Sequence, residues 1–205
     1  MFTCQARMTD IMRSYKTEAI IIKRRNFGEA DRVLTVLTRT YGKIQVRAPG
    51  VRKITSRRSS HIELLNLTLF TLYRNSHASF PTVTEAQAQE EFLSIKKTLQ
   101  KIGFAYYICE LIDTLCAERV EDRKIFFLVR DTLFKLNNYS LDNNRTMQQW
   151  NNEVIDDFED ELLVALGFLP RYHKVYDKRI FIESILEKKL RTKRLLPLFL
   201  NNNER

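Results

Sequence analysis

The sequence predicts an α+β chain, a small closed β-barrel followed by an all-α domain, and two observations carry that prediction. Up to about residue 90 the apolar residues come in short β-branched or alternating runs, the period of strands; beyond it they recur every three to four residues, the period of helices. Five short strands separated by turn residues suit a barrel, while the helical stripes that follow have no strand between them. The predicted division is an N-terminal extension over residues 1–14, the barrel over 15–90 and the helical domain over 91–205.

The strands are read in order. "EAIIIKRR" (18–25) is continuous and β-branched, and "DRVLTVLTR" (31–39) and "KIQVRA" (43–48) are joined by a Gly-bearing turn of hairpin length. "ELLNLTLFTLY" (63–73) alternates, with Leu65, Leu67, Leu69 and Tyr73 on one side and Asn66 and Thr68 on the other. A fifth strand is expected around "PTVTEAQ" (81–87). The helical stripes are Phe104, Ile108, Leu111 and Leu115; then Ile125, Leu128, Val129, Leu133 and Leu136; then Val154, Phe158, Leu162, Ala165 and Leu166, stopped by Gly167 and Pro170; and a shorter one at Ile182, Ile185, Leu186 and Leu190. "NNYSLDNNRT" (137–146) reads as a loop.

The charge is segregated. Residues 1–90 hold 15 Lys and Arg against 7 Asp and Glu, whereas 91–205 hold 19 against 18. From Arg32 to Ile62 there is no acid at all, yet the window carries Arg32, Arg39, Lys43, Arg47, Arg52, Lys53, Arg57 and Arg58. A merely solvated surface mixes its signs, so a polyanion is the first partner to expect. The loop "APGVRKITSRRSS" (48–60) adds Thr55, Ser59 and Ser60, whose hydroxyls bond phosphate oxygens without reading sequence.

Other constellations carry less. Phe27, Tyr41, Phe70, Tyr73 and Phe80 are candidate stacking rings, though core packing is the commoner role of each alone, and Phe70 and Tyr73 must point to opposite faces. The acids Asp156, Asp157, Glu159, Asp160 and Glu161 invite a metal-dependent nuclease, but the polar face of a helix near its start explains them better. His61, His77 and His173 stand singly and are assigned no chemistry. Cys109 and Cys116 are expected to pack as small hydrophobes. With Cys4 they make three cysteines without a C-x-x-C pair, which points to a reducing, cytoplasmic setting. No apolar run of signal-peptide or membrane-span type is present, and Met8 and Met12 are alternative starts. Gly42-Lys43 lacks the rest of a phosphate-binding Walker loop, so no nucleotide cofactor is expected.

Beyond these readings, "EAIIIKRRNFGEADRVLTVLTRTYGKIQVRAPGVRKITSR" resembles the amino-terminal barrel of the bacterial RecO family, with its strand, "GE.DR/S" turn, "T...G" hairpin and basic loop. "YYICELIDTLCAE", "IFFLVRDTLFKL" and "FEDELLVALGFLP" resemble the family's following helices in the same order. There are departures: Pro49 stands where a basic residue commonly precedes the loop glycine, and "RYHKVYDKRIFIESILEKKLRTKRLLP" lacks the cysteines of a zinc-binding insertion, so a reduced member without metal is expected. The resemblance implies an OB-type barrel with no enzymatic activity. It also implies a recombination mediator that binds single- and double-stranded DNA, anneals strands, engages the tail of the single-stranded-DNA-binding protein and works with RecR to load RecA.

The resulting expectation is that Lys23, Arg24, Arg25, Arg47, Arg52, Lys53, Arg57 and Arg58 track phosphates on one barrel face, with Arg32, Arg39 and Lys43 in support. Arg119, Arg123, Lys124 and Arg130 are the candidate receivers of the acidic tail. The alternatives are a generic single-strand RNA or DNA binder and, behind it, a nuclease built on "DDFEDE".

Overall fold

The computed structural model describes residues 14–139, 147–170, 175 and 177–192, with backbone alone at 147–152. The N-terminal extension up to residue 13, with Cys4, Met8 and Met12, and also His173 lie outside the described residues.

Five strands, β1 (Ser14–Phe27), β2 (Asp31–Thr38), β3 (Gly42–Ala48), β4 (Leu67–Tyr73) and β5 (Thr82–Glu90), close into a barrel of order β1-β2-β3-β5-β4. This is the OB-type order. All neighbours are antiparallel except β3 and β5, which meet in parallel at a single pair, Arg47 and Thr82. Inside the barrel Ala19, Ile21, Leu34, Val36, Ile44, Val46, Phe70 and Leu72 form a closed core.

Among the described residues five helices follow: α1 (Leu93–Lys97), α2 (Leu99–Leu115), α3 (Arg123–Asn138), α4 (Met147–Ala165) and α5 (Lys178–Leu186). Asp122 caps α3 by accepting the amides of Lys124 and Ile125, and Asp177 caps α5 at the Ile180 amide. The predicted stripes land in these helices except at their ends, where Leu166 lies just past α4 and Leu190 past α5, and α4 ends before Gly167, whose φ is +79°. The short α1 carried no stripe long enough to be anticipated.

The helical core does not stop at the domain boundary. Ile20, Ile22, Leu37, Leu65 and Leu67 from the barrel half belong to the same apolar cluster as Phe104, Phe126 and Phe158. This corrects the expected β4 pattern. Thr68, Phe70 and Leu72 turn towards the barrel side, Leu67 packs on the helices, and Leu69 and Tyr73 are not buried. The strand also starts later than predicted, because Leu65 takes a left-handed φ of +72°.

A cation from the barrel stitches the two halves together. Lys43 is 6% exposed, and its ammonium donates to the Asp113 carbonyl at 2.5 Å and the Ile112 carbonyl at 3.5 Å, both in the last turn of α2. The Ile112 carbonyl also accepts the Cys116 amide at 3.3 Å, so the ammonium chiefly serves the Asp113 carbonyl and places a cation at the negative end of the helix dipole.

Cys109 and Cys116 are buried, and burial pushes their thiols up to about 12 and about 11. A thiol raised in this way favours the folded state below its ordinary value of 9.0, and that contribution is lost as pH climbs through the folded values. Titration of the folded protein with a thiol reagent near neutral pH should leave both unlabelled until denaturant is added. Prompt labelling of either would contradict their burial. Among the described residues no helix is long and apolar enough to cross a membrane.

Candidate nucleic-acid interface

Side chains directly opposite on paired strands share a face, so the register decides which cations meet. On the outside of β1, β2 and β3, Arg25, Val33 and Arg47 form one row and Lys23, Thr35 and Gln45 the next. A bulge makes this possible. Ala19 and Ile21 face the barrel interior, and an unbroken strand would send Lys23 and Arg25 there too. The register shifts between Ile21 and Lys23, so Ile22 is an extra residue and the following odd positions turn outward.

Two rings interleave with these cations. The Arg47 guanidinium lies 5.5 Å from the centre of the Phe27 ring, and Arg25 lies 5.9 Å from that of Phe80. Phe27 is 40% exposed. Arginines over aromatic faces present charge and a π surface together, the combination that a single strand uses through its phosphates and bases. A groove of about 380 Å³ runs beside them, bounded by Lys23, Arg25, Thr35, Gln45, Asp113 and Glu118. Its far wall is tied to the strands by Lys23 to Asp113 at 2.7 Å and by the Gln45 amide to Glu118 at 2.8 Å.

The basic loop is anchored from its own base. Asp31 accepts the Gly50 amide at 2.8 Å and the Arg47 guanidinium at 2.6 Å. The Gly50 bond first, and then Arg47, hold the Asp31 carboxyl below its ordinary range. Arg58 bonds the Pro49 and Val83 carbonyls at 2.9 and 3.0 Å, fastening the loop to β5. Among the described residues the Arg52 guanidinium reaches the Gly28 carbonyl alone, at 3.1 Å. Lys53 and Arg57 are exposed and pair with no carboxylate among the described residues.

The acid-free window is thus partly neutralised from outside itself. Arg32 reaches Glu63 at 3.4 Å and Arg39 reaches Glu18 at 3.1 Å, while Arg47 has Asp31. Asp31 and Glu63 are the residues that flank the window. Arg24 shares its face with the inward-pointing Leu34 and also pairs with Glu63, so three consecutive cations do not lie on one face. Lys43 is under α2, and Arg58 spends its donors on backbone carbonyls. The outward strip that the fold assembles is Lys23, Arg25, Arg47, Arg52, Lys53 and Arg57. Of the five rings, Phe70 alone is fully buried.

The four helical-domain cations do not converge. Arg119 borders a cavity at the barrel, Arg123 pairs with Glu121 at 3.0 Å, and Arg130 pairs with Asp131 and stacks on Phe127. Lys124 lines a groove between α3 and α4 with Asp122, Asp160 and Glu161, a charge balance that repels an acidic peptide. In the acidic stretch, Glu159 is buried and accepts the Tyr107 hydroxyl, and Asp160 pairs with Lys178 at 2.8 Å. Among the described residues no three His, Cys, Asp or Glu side chains converge as metal ligands would.

Comparison with known proteins matches this architecture segment by segment. The family model "Recombination protein O N terminal" covers residues 12–92, and "Recombination protein O C terminal" covers residues 96–175. The chain belongs to the recombination protein O family. Among its curated relatives are DNA repair protein RecO of Roseiflexus sp., 38% identical over 165 residues, and DNA repair protein RecO of Dehalococcoides mccartyi, 40% identical over 156 residues. These alignments take in 79% and 76% of this chain but 53% and 57% of the relatives, so this recombination protein O chain spans about half the length of the proteins it matches. The two family segments meet where the barrel gives way to the helices, and the outward strip lies wholly in the first.

Proposed function

We propose that this chain is a DNA-binding recombination mediator in DNA repair, and that it works by holding strands rather than by catalysis. The observation that supports it is the strip of outward cations interleaved with Phe27 and Phe80 on an OB-type barrel of this family. Phosphates of single- or double-stranded DNA exchange places with the weak surface carboxylate partners of Arg47 and Lys23, and the loop cations Arg52, Lys53 and Arg57 take further phosphates. Two strands neutralised on one face approach without their mutual repulsion, which accelerates annealing. In this reading the chain engages strands coated with the single-stranded-DNA-binding protein through that protein's tail, and acts with RecR ahead of RecA loading.

The test combines salt and charge. Affinity for oligonucleotides should fall steeply between low and physiological salt. Neutralising Arg52, Lys53 and Arg57 together should lower the log-log slope by about 2 to 3, since each phosphate contact accounts for about 0.7 to 0.9. The same variant should lose acceleration of annealing of strands coated with the single-stranded-DNA-binding protein, in a buffer without metal or nucleotide. Binding that ignores salt would sink the phosphate strip. Binding without annealing would leave a generic single-strand binder.

A further inference from the structure

At the end of the barrel away from the basic loop, the β2–β3 turn, the start of β1 and the segment after α2 enclose a cavity of about 290 Å³. Tyr15 and Tyr41 stand in it with ring centres 4.7 Å apart and planes inclined at 59°. Tyr41 is 41% exposed, so Tyr15 backs it while part of its surface stays open to solvent. Arg74 and Arg119 border the same cavity. The acid on its wall, Glu121, is occupied by Arg123 at 3.0 Å.

Tyr15 packs against the edge of the barrel core, whose buried interior is aliphatic apart from Phe70, whereas Tyr41 is no part of that core. Two polar-tipped rings with two guanidiniums around a small concavity match a flat π system carrying an adjacent anion. Burial raises the Tyr15 hydroxyl above its ordinary value, with Tyr41 adding to the effect and Arg74 and Arg119 opposing it. The cavity is not isolated either. Gln45 lines both it and the groove beside the Lys23 and Arg25 rows, so the two concavities are neighbours on the barrel surface.

We infer that this cavity receives one unpaired nucleobase of a bound single strand, stacked on Tyr41, with Arg74 and Arg119 on its flanking phosphates. The inference deepens the DNA-binding reading and rests on it. A stacked duplex cannot offer a base in this way, so the cavity makes the chain prefer strands that are already open.

The experiment compares a short oligothymidylate with an abasic strand of the same length, which keeps the phosphates and lacks the bases. Tyr41→Ala should weaken oligothymidylate binding about tenfold and leave abasic binding unchanged, while Tyr41→Phe keeps both. Retained abasic binding also shows that the variant is folded. Equal loss on both strands, or no loss on oligothymidylate, overturns the base site and spares the phosphate strip. If the unaltered protein binds neither strand, the DNA-binding reading fails and the cavity fails with it.

Discussion

Gly42→Ala is expected to destabilise the protein by on the order of 3 kcal/mol or more, read as a lowered midpoint in denaturant. Gly42 begins β3 with φ +64°, where a side chain alone costs about 1–2 kcal/mol. A Cβ there would also lie 2.0 Å from the Val120 carbonyl oxygen and 2.6 Å from its carbon. That neighbour is backbone, so it yields only if the whole segment after α2 moves. The segment is held by the Arg119 amide on the Lys43 carbonyl at 2.8 Å and by the pairing of Lys43 with Glu118. Moving it also lifts α2 from the Lys43 ammonium. Gly28→Ala is the control: φ is +59° but nothing lies within 4 Å, so only the conformational cost of about 1–2 kcal/mol applies. Equal losses for the two would show that the close approach at Val120 has no energetic weight.

Phe126→Ala is expected to cost about 3–5 kcal/mol, the range for emptying a fully buried aromatic site. The informative readout is which part of the protein loses stability. Phe126 sits on α3, yet its cluster runs through Ile20, Ile22, Leu37, Leu65 and Leu67 of the barrel half. A shared core makes the two halves unfold together, because helices that leave would expose apolar strand surface to water. Strand and helix signals should therefore shift to the same lower midpoint. A helical transition that moves while the barrel transition stays would refute the shared core and make the barrel an independent unit.

The local periods were legible along the chain because they depend on spacing alone. Ile125, Val129 and Leu133 recur as a helix requires, and "DRVLTVLTR" needs no distant partner to read as a strand. Charge segregation was legible for the same reason. The partners that the fold gives Lys43, Arg58 and Arg24 were hidden for a common reason. A lysine or arginine has the same composition signature whether it meets water, a helix end or a distant glutamate. Only pairing across 70 residues puts the Lys43 ammonium on the Asp113 carbonyl.

Pairing distance likewise hid the Tyr41 cavity. Tyr15, Tyr41, Arg74 and Arg119 come from four separate parts of the chain, and no short motif joins them. Phe80 acquires its arginine from β1 in the same way.

By itself the sequence determined that this protein is a barrel followed by helices and that the excess of positive charge lies in its first half. Both follow from short-range order, the spacing of apolar residues and the sum of charges. Tertiary structure decided which cations face outward, through one extra residue in β1 and three carboxylates brought in from Glu18, Asp31 and Glu63. Register and ion pairing depend on which strands meet, and that is settled only when the whole core closes.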